Sequence, residues 1–227
     1  MRVLLAAGCR VGGQHFIGGV QSWIITVARR LSILGHEPVV WHPGSTDSVR
    51  AKCDLGFISH AKKTASASAL CRRSWWVSHG IIPDERPPNS RVIFTSEDVR
   101  SYWNGEGPIV RQPIDLDFWR PGDGKRTLFL FYSYRAPDAF CLPDVAARLG
   151  LEFRRLSDAT PEEARAYMRD AALVCASGRA ALEAMACGAP TLICDNRPYN
   201  GGPLFDGDIM HACRANYSGR GGIAPTT

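Results

Sequence analysis

Residues 171–195 constrain this chain more than any other stretch. Ala-Ala-Leu-Val-Cys-Ala (171–176) and Thr-Leu-Ile-Cys-Asp (191–195) are short apolar runs, the pattern of strands buried on both faces. Between them runs Ser177-Gly178-Arg179-Ala-Ala-Leu-Glu183-Ala-Met-Ala-Cys-Gly188-Ala-Pro190, rich in helix formers and bracketed by glycines. The unit reads strand, glycine turn, helix, strand. Free backbone N–H groups at such a helix start favour an anion, typically a phosphate. Glu183 falls about one turn further in, where a carboxylate accepts hydrogen bonds from a sugar diol. The competing expectation is an ordinary Ala-rich amphipathic helix with Glu183 exposed.

The chain opens on a similar unit. Val3 to Ala7 is a continuous apolar run ending at Gly8, and a glycine-rich loop follows, Gly12-Gly13-Gln-His15-Phe-Ile-Gly18-Gly19. From Val20 to Leu34, apolar residues at 20, 23, 24, 27, 28, 31 and 34 make a helical stripe that stops at Gly35, and Pro38 to Trp41 resumes as a strand. The glycine spacing is not the dinucleotide fingerprint, and no acidic residue ends the second strand where a ribose would need it. Asp54 to His60 reads as a short strand running into a loop. Trp75 to Ile82 repeats it, with His79-Gly80 at the carboxyl end, where open α/β sheets place ligands. His79 can donate to a sugar hydroxyl, stabilise charge or act as a base; the plainer alternative is a histidine packed under Trp75 and Trp76. Arg91 to Glu97 gives a strand and a helix cap, and Ile109 to Phe118 closes the half.

Trp119-Arg-Pro-Gly-Asp-Gly suits a linker. Beyond it the pattern predicts a strand over 127–132, a helix over 143–149, a strand over 152–156 and a helix over 161–169 opened by Thr160-Pro-Glu-Glu. At 227 residues there is room for one large domain or two of roughly 110 each. Apolar content of 45% with 22% charged residues describes an ordinary globular chain. The net charge of +5 is spread along the chain, and the densest basic spots are Lys62-Lys63 and Arg72-Arg73, so nucleic acid is weakly indicated. The eight cysteines form no Cys-x-x-Cys pair. Their spacing argues against a zinc site or disulfide framework and for reduced, packed thiols, hence the cytoplasm. No run is long enough to span a bilayer, and the first residues are too short in apolar length for a signal peptide.

The run from Gly178 to Pro190 resembles the donor-binding signature of GT-B glycosyltransferases, nucleotide-sugar enzymes whose C-terminal domain carries a glycine, small residues and Leu-Glu-Ala-Met-Ala-x-Gly-x-Pro. Four further landmarks follow that family's order. They are Gly18-Gly19-Val20 ahead of Leu31-Ser-Ile-Leu-Gly35-His36-Glu37, then His79-Gly80, Val92 to Ser96-Glu97, and Gln112-Pro113-Ile114-Asp115 to Phe118. In the last, Gln112-Pro113 stands where Asn-Gly is usual.

The resemblance implies two Rossmann-like α/β domains facing across a cleft in a compact GT-B-like arrangement. Residues 1–118 would form the acceptor side and 119–227 the nucleotide-sugar donor side. It assigns the donor ribose to Glu183 and the diphosphate to Arg135 and the turn Ser177-Gly178-Arg179. It places Gly18 and Gly19 at the cleft and His79 at the reaction centre. His36 is expected to be a surface residue and His15 a ligand contact or a plain loop residue. Two departures stand out. Cys175 occupies the position, eight before Glu183, where many members carry a second glutamate. No lysine follows Arg135 at the usual distance, where Asp138 and Phe140 lie, so Arg179 is expected to supply the charge. Family members also run on well past Asp195, which implies a compact or truncated member.

The activity implied is transfer of a glycosyl group from a nucleotide-diphosphate sugar to a hydroxyl on a glycan, lipid, protein or DNA. It would be metal-independent and retaining, with the nucleotide-sugar as co-substrate and neither cofactor nor metal site. The alternatives are a non-catalytic nucleotide- or sugar-binding relative and a nucleotide-sugar epimerase of the same fold.

Overall fold

The apolar runs that open each half become central strands. In the computed structural model the described residues are 1–8, 18–45, 52–81, 91–132, 141–157, 159–194, 204–205 and 209–218. Backbone contacts divide the chain into two compact units, one ending at Pro113 and one running from Ile114.

The first unit runs β1 (Arg2–Ala6), α1 (Gly19–Ile33), β2 (Glu37–Trp41), β3 (Cys53–Ile58), α2 (Ala61–Thr64) with a 3-10 turn over Ala65–Leu70, β4 (Cys71–Ser78), β5 (Val92–Phe94) and α3 (Glu97–Tyr102). Its strands form one parallel sheet in the order β2-β1-β3-β4-β5. Side chains alternate across β1, as the period of two requires. Val3, Leu5 and Ala7 pack with Trp23 and Ile24 of α1, while Leu4 and Ala6 pack with Ala67 and Leu70 on the other face. Both faces are therefore covered, which is why β1 reads as an unbroken apolar run.

The second unit runs β6 (Leu128–Tyr132), α4 (Leu142–Arg148), β7 (Glu152–Leu156), α5 (Pro161–Asp170), β8 (Ala171–Ala176), α6 (Arg179–Ala186), β9 (Thr191–Cys194), β10 (Leu204–Phe205) and α7 (Ile209–Arg214). The sheet order is β10-β9-β8-β6-β7, parallel except for β10. Leu128 and Leu130 face Ala164, Met168, Ala181 and Ala184 of α5 and α6, whereas Phe129 and Phe131 face Leu142 and Ala146 of α4. Thr160 opens α5 with a reciprocal capping box: its hydroxyl accepts the Glu163 N–H at 3.2 Å, and Glu163 Oε2 accepts the Thr160 N–H at 2.9 Å.

Numbered within its own unit, each sheet has the order 2-1-3-4-5. In such doubly wound sheets the chain leaves the first strand to one side and returns on the other, so the order reverses between strands 1 and 3. Those reversal points are β1/β3 in the first unit and β6/β8 in the second. Ile114 and Phe118, which close the first half in the sequence, pack against the second unit's core beside Trp119, with the Arg165 guanidinium 4.4 Å over the Phe118 ring. Among the described residues no helix is long and apolar enough to cross a membrane.

Candidate functional site

Ligands of open α/β sheets bind outside the carboxyl ends of the strands where the order reverses. In the second unit that place is the end of β6, at Tyr132, and the end of β8, at Ser177-Gly178. Gly178 has φ 59° and ψ −131°, a conformation that essentially only glycine adopts, and it turns the chain from strand into α6 without a side-chain cap. At the far end, the Gly188 N–H donates to the Met185 carbonyl and the Ala189 N–H to the Ala184 carbonyl, a Schellman closure.

Directly after Gly178, Arg179 Nε donates at 2.7 Å to Oε1 of Glu183, one turn further on, and both side chains are about 5% exposed or less. Glu183 is therefore not the exposed carboxylate of a generic amphipathic helix. Burial pushes its carboxyl up, to about 7, against the opposing pull of Arg179. Burial, and secondarily the Glu183 charge, pushes the Tyr132 phenol up as well. Ser177 and Gly178 are half-buried beside the pair.

The Gly178 N–H donates to the carbonyl of Tyr217. Tyr217 and Asn216 both have positive φ, 53° and 55°, in a turn that follows α7. The first backbone donor of the glycine turn is thus engaged by the chain itself. Cys175, where a second glutamate would stand, is fully buried among Phe129, Phe131 and Cys194, and burial pushes its thiol up to about 12. A carboxylate at that position would be buried in this core.

In the first unit the reversal point lies between Gly8, after β1, and Ser59-His60, after β3. The Gly8 N–H donates to His60 Nδ1 at 3.1 Å. One strand over, His79 follows β4, and its Nε2 lies 2.9 Å from Ser59 Oγ. The Trp23 ring of α1 lies edge-on to His79, with centroids 5.1 Å apart. Gly18 and Gly19 start α1, which carries no side-chain cap and no acidic residue in its first turn. That helix start is compatible with an anion. His36 is half-buried after the α1 terminus, where its N–H donates to the Leu31 carbonyl.

Two groups of the expected site residues are therefore drawn together: Ser177, Gly178, Arg179 and Glu183 in the second unit, and His79 with the first turns of α1 in the other. Arg135 and His15 lie outside the described residues. Sequence reading passed over Ser59, His60 and the Tyr217 carbonyl. A signal for the first two was present, because adjacent strands both end in Ser-His, at 59–60 and 78–79. Among the described residues no three His, Cys, Asp or Glu side chains gather to hold a metal ion. No protein-family model and no curated protein matches the chain. Its activity is therefore a question for the chemistry of these sites.

Proposed function

We propose that the chain is a GT-B-like glycosyltransferase, its two units facing across a cleft, that moves a sugar from a nucleotide-diphosphate donor to a hydroxyl acceptor. The observation that carries this reading is the Glu183 carboxylate, held by Arg179 one turn beyond Gly178 at the β6/β8 reversal point. A carboxylate fixed there suits the two hydroxyls of a ribose, and the uncapped start of α6 suits a diphosphate. In the transfer, the bond from the anomeric carbon to the phosphate oxygen breaks with its electron pair leaving on the nucleoside diphosphate. The acceptor oxygen bonds to that carbon and gives up its proton to the departing phosphate oxygen. Backbone dipoles and arginines stabilise the leaving diphosphate, and His79 stands at the reacting sugar in the other unit.

A second reading is a non-catalytic nucleotide-binding relative. It is favoured by one observation: two donors expected to meet the diphosphate, the Gly178 N–H and the Arg179 guanidinium, are engaged by Tyr217 and Glu183.

Scanning calorimetry with UDP, GDP, ADP and TDP, on the wild type and on Glu183→Gln, tests both. A stabilising shift with one nucleotide that is lost in the variant, together with sugar transfer from the matching donor, is the expected result. A shift without transfer favours the second reading, and no shift with any nucleotide removes both.

A further inference from the structure

We infer that Tyr132 is a specificity-determining residue of the second unit's candidate site: with Glu183 it takes a ribose hydroxyl, and so favours ribonucleotides over their deoxy counterparts. The inference rests on the nucleotide-binding reading above, which gives Tyr132 no part.

Tyr132 is the last residue of β6. Its side chain follows Leu128 and Leu130 on the face of the strand covered by α5 and α6, and it packs against the core cluster that holds Ala181 and Ala184. In register it stands beside Ala176, the last residue of β8, after which Ser177-Gly178 turns the chain into α6. The residue is half-buried there. Burial, and then the Glu183 charge, raises the pKa of the phenol, so the hydroxyl keeps its proton at neutral pH. Glu183 is thus within electrostatic reach of Tyr132.

Two polar groups here have no hydrogen-bond partner among the described residues. One is the Tyr132 hydroxyl. The other is Glu183 Oε2. Arg179 Nε donates to Oε1, and nothing donates to the second oxygen, although the side chain is 5% exposed. A buried carboxylate oxygen without a donor is costly, and a ligand group that donates to it removes that cost.

The chemistry of that group is narrowly set. It must donate to Oε2 and accept from the Tyr132 O–H. A phosphoryl oxygen only accepts and an ammonium only donates, whereas a hydroxyl does both. On a nucleoside diphosphate the groups that fit are the two ribose hydroxyls. An analogue lacking the one that is contacted leaves both protein groups unmet, which is how a polar site rejects a smaller ligand.

Titration calorimetry of the full chain tests this at about pH 8, where Glu183 is ionised. The probes are UDP, GDP and ADP, each with its 2′-deoxy and 3′-deoxy forms. Tyr132→Phe keeps the ring and its packing and removes the hydroxyl. It should weaken the bound ribonucleotide roughly 10-fold and leave unchanged the deoxy form that lacks the contacted hydroxyl, a coupling that a purely structural role would not produce. Equal loss for the ribonucleotide and both deoxy forms, or no loss for any, overturns the inference and leaves the nucleotide reading standing. No nucleotide bound by the wild type removes both. Should Tyr132→Phe not fold, NMR of the wild type labelled with 13C at tyrosine Cζ reads the same contrast. One Cζ resonance should respond to the ribonucleotide and not to that deoxy form, and an equal response to both overturns the inference.

Discussion

The Ser59 hydroxyl lies 2.9 Å from His79 Nε2, joining the carboxyl ends of two neighbouring parallel strands. Ser59 is fully buried, and its backbone is committed separately, its N–H to the Ala6 carbonyl at 2.9 Å and its carbonyl to Thr64. The Ser59 side chain meets the imidazole. Trp23 of α1 lies edge-on to the same imidazole.

Truncating Ser59→Ala removes that hydroxyl and leaves the backbone bonds in place. The expected loss of stability is about 1 kcal/mol. If His79 acts on the reacting sugar, kcat falls roughly 10-fold with KM little changed, the pattern of an interaction made chiefly in the transition state. Melting temperature and steady-state transfer kinetics check the two halves. An unchanged kcat would remove His79 from the reaction.

Glu183 gives the second unit a pH dependence of known sign. Its folded value, about 7, lies above the ordinary 4.5, so between these values the folded state holds more protons than the unfolded one. This group's contribution to stability is therefore greatest below about 4.5, declines as pH rises towards 7 and is level above it. Glu183→Gln should flatten that decline in calorimetric scans. Nucleotide affinity should run the other way, rising through pH 7 as the carboxylate ionises and accepts ribose hydroxyls.

Breaking the buried pair from one side is costlier than neutralising it. Glu183→Ala leaves the Arg179 charge without its carboxylate, and about 3–5 kcal/mol is expected from such a loss. Glu183→Gln keeps the shape and an acceptor oxygen, so it should be distinctly milder. Urea melts of the two variants measure the difference.

Gly178→Ala tests the turn alone. Nothing lies within 4 Å of a Cβ built there, so any cost comes from φ 59° and ψ −131° rather than from a clash. A loss of about 1–3 kcal/mol is expected, with weaker nucleotide binding as the first turn of α6 shifts. Thr160→Ala is the matching control. Losing that cap should cost about 1 kcal/mol and leave nucleotide affinity unchanged, which titration calorimetry would show.

Much of this was legible in the sequence, for reasons visible residue by residue. Ala171–Ala176 and Glu152–Leu156 match the strands expected, and α5 begins where Thr160-Pro-Glu-Glu said it would. Other elements carried no readable pattern. β4 begins at Cys71, four residues before Trp75, because Arg72 and Arg73 are exposed and break the apolar run. The small residues of 61–70 have no period, yet they make α2 and the 3-10 turn whose Ala67 backs the sheet. At the site, the i, i+4 spacing of Arg179 and Glu183 was plain, but not that both would be buried, which depends on what packs over α6. The hold of Tyr217 on Gly178 joins residues 39 positions apart, and no local rule foretells it.

The division of the chain also decides what light can report about it. Trp23, Trp41, Trp75, Trp76 and Trp103 belong to the first unit, and Trp119 alone to the second. Intrinsic emission is thus weighted five to one towards the half that holds His60 and His79. A nucleotide seated at Gly178 and Glu183 would speak through a single indole. Trp119→Phe would silence that voice and leave a spectrum of the first unit alone, so that the difference between the two proteins isolates the donor-side half.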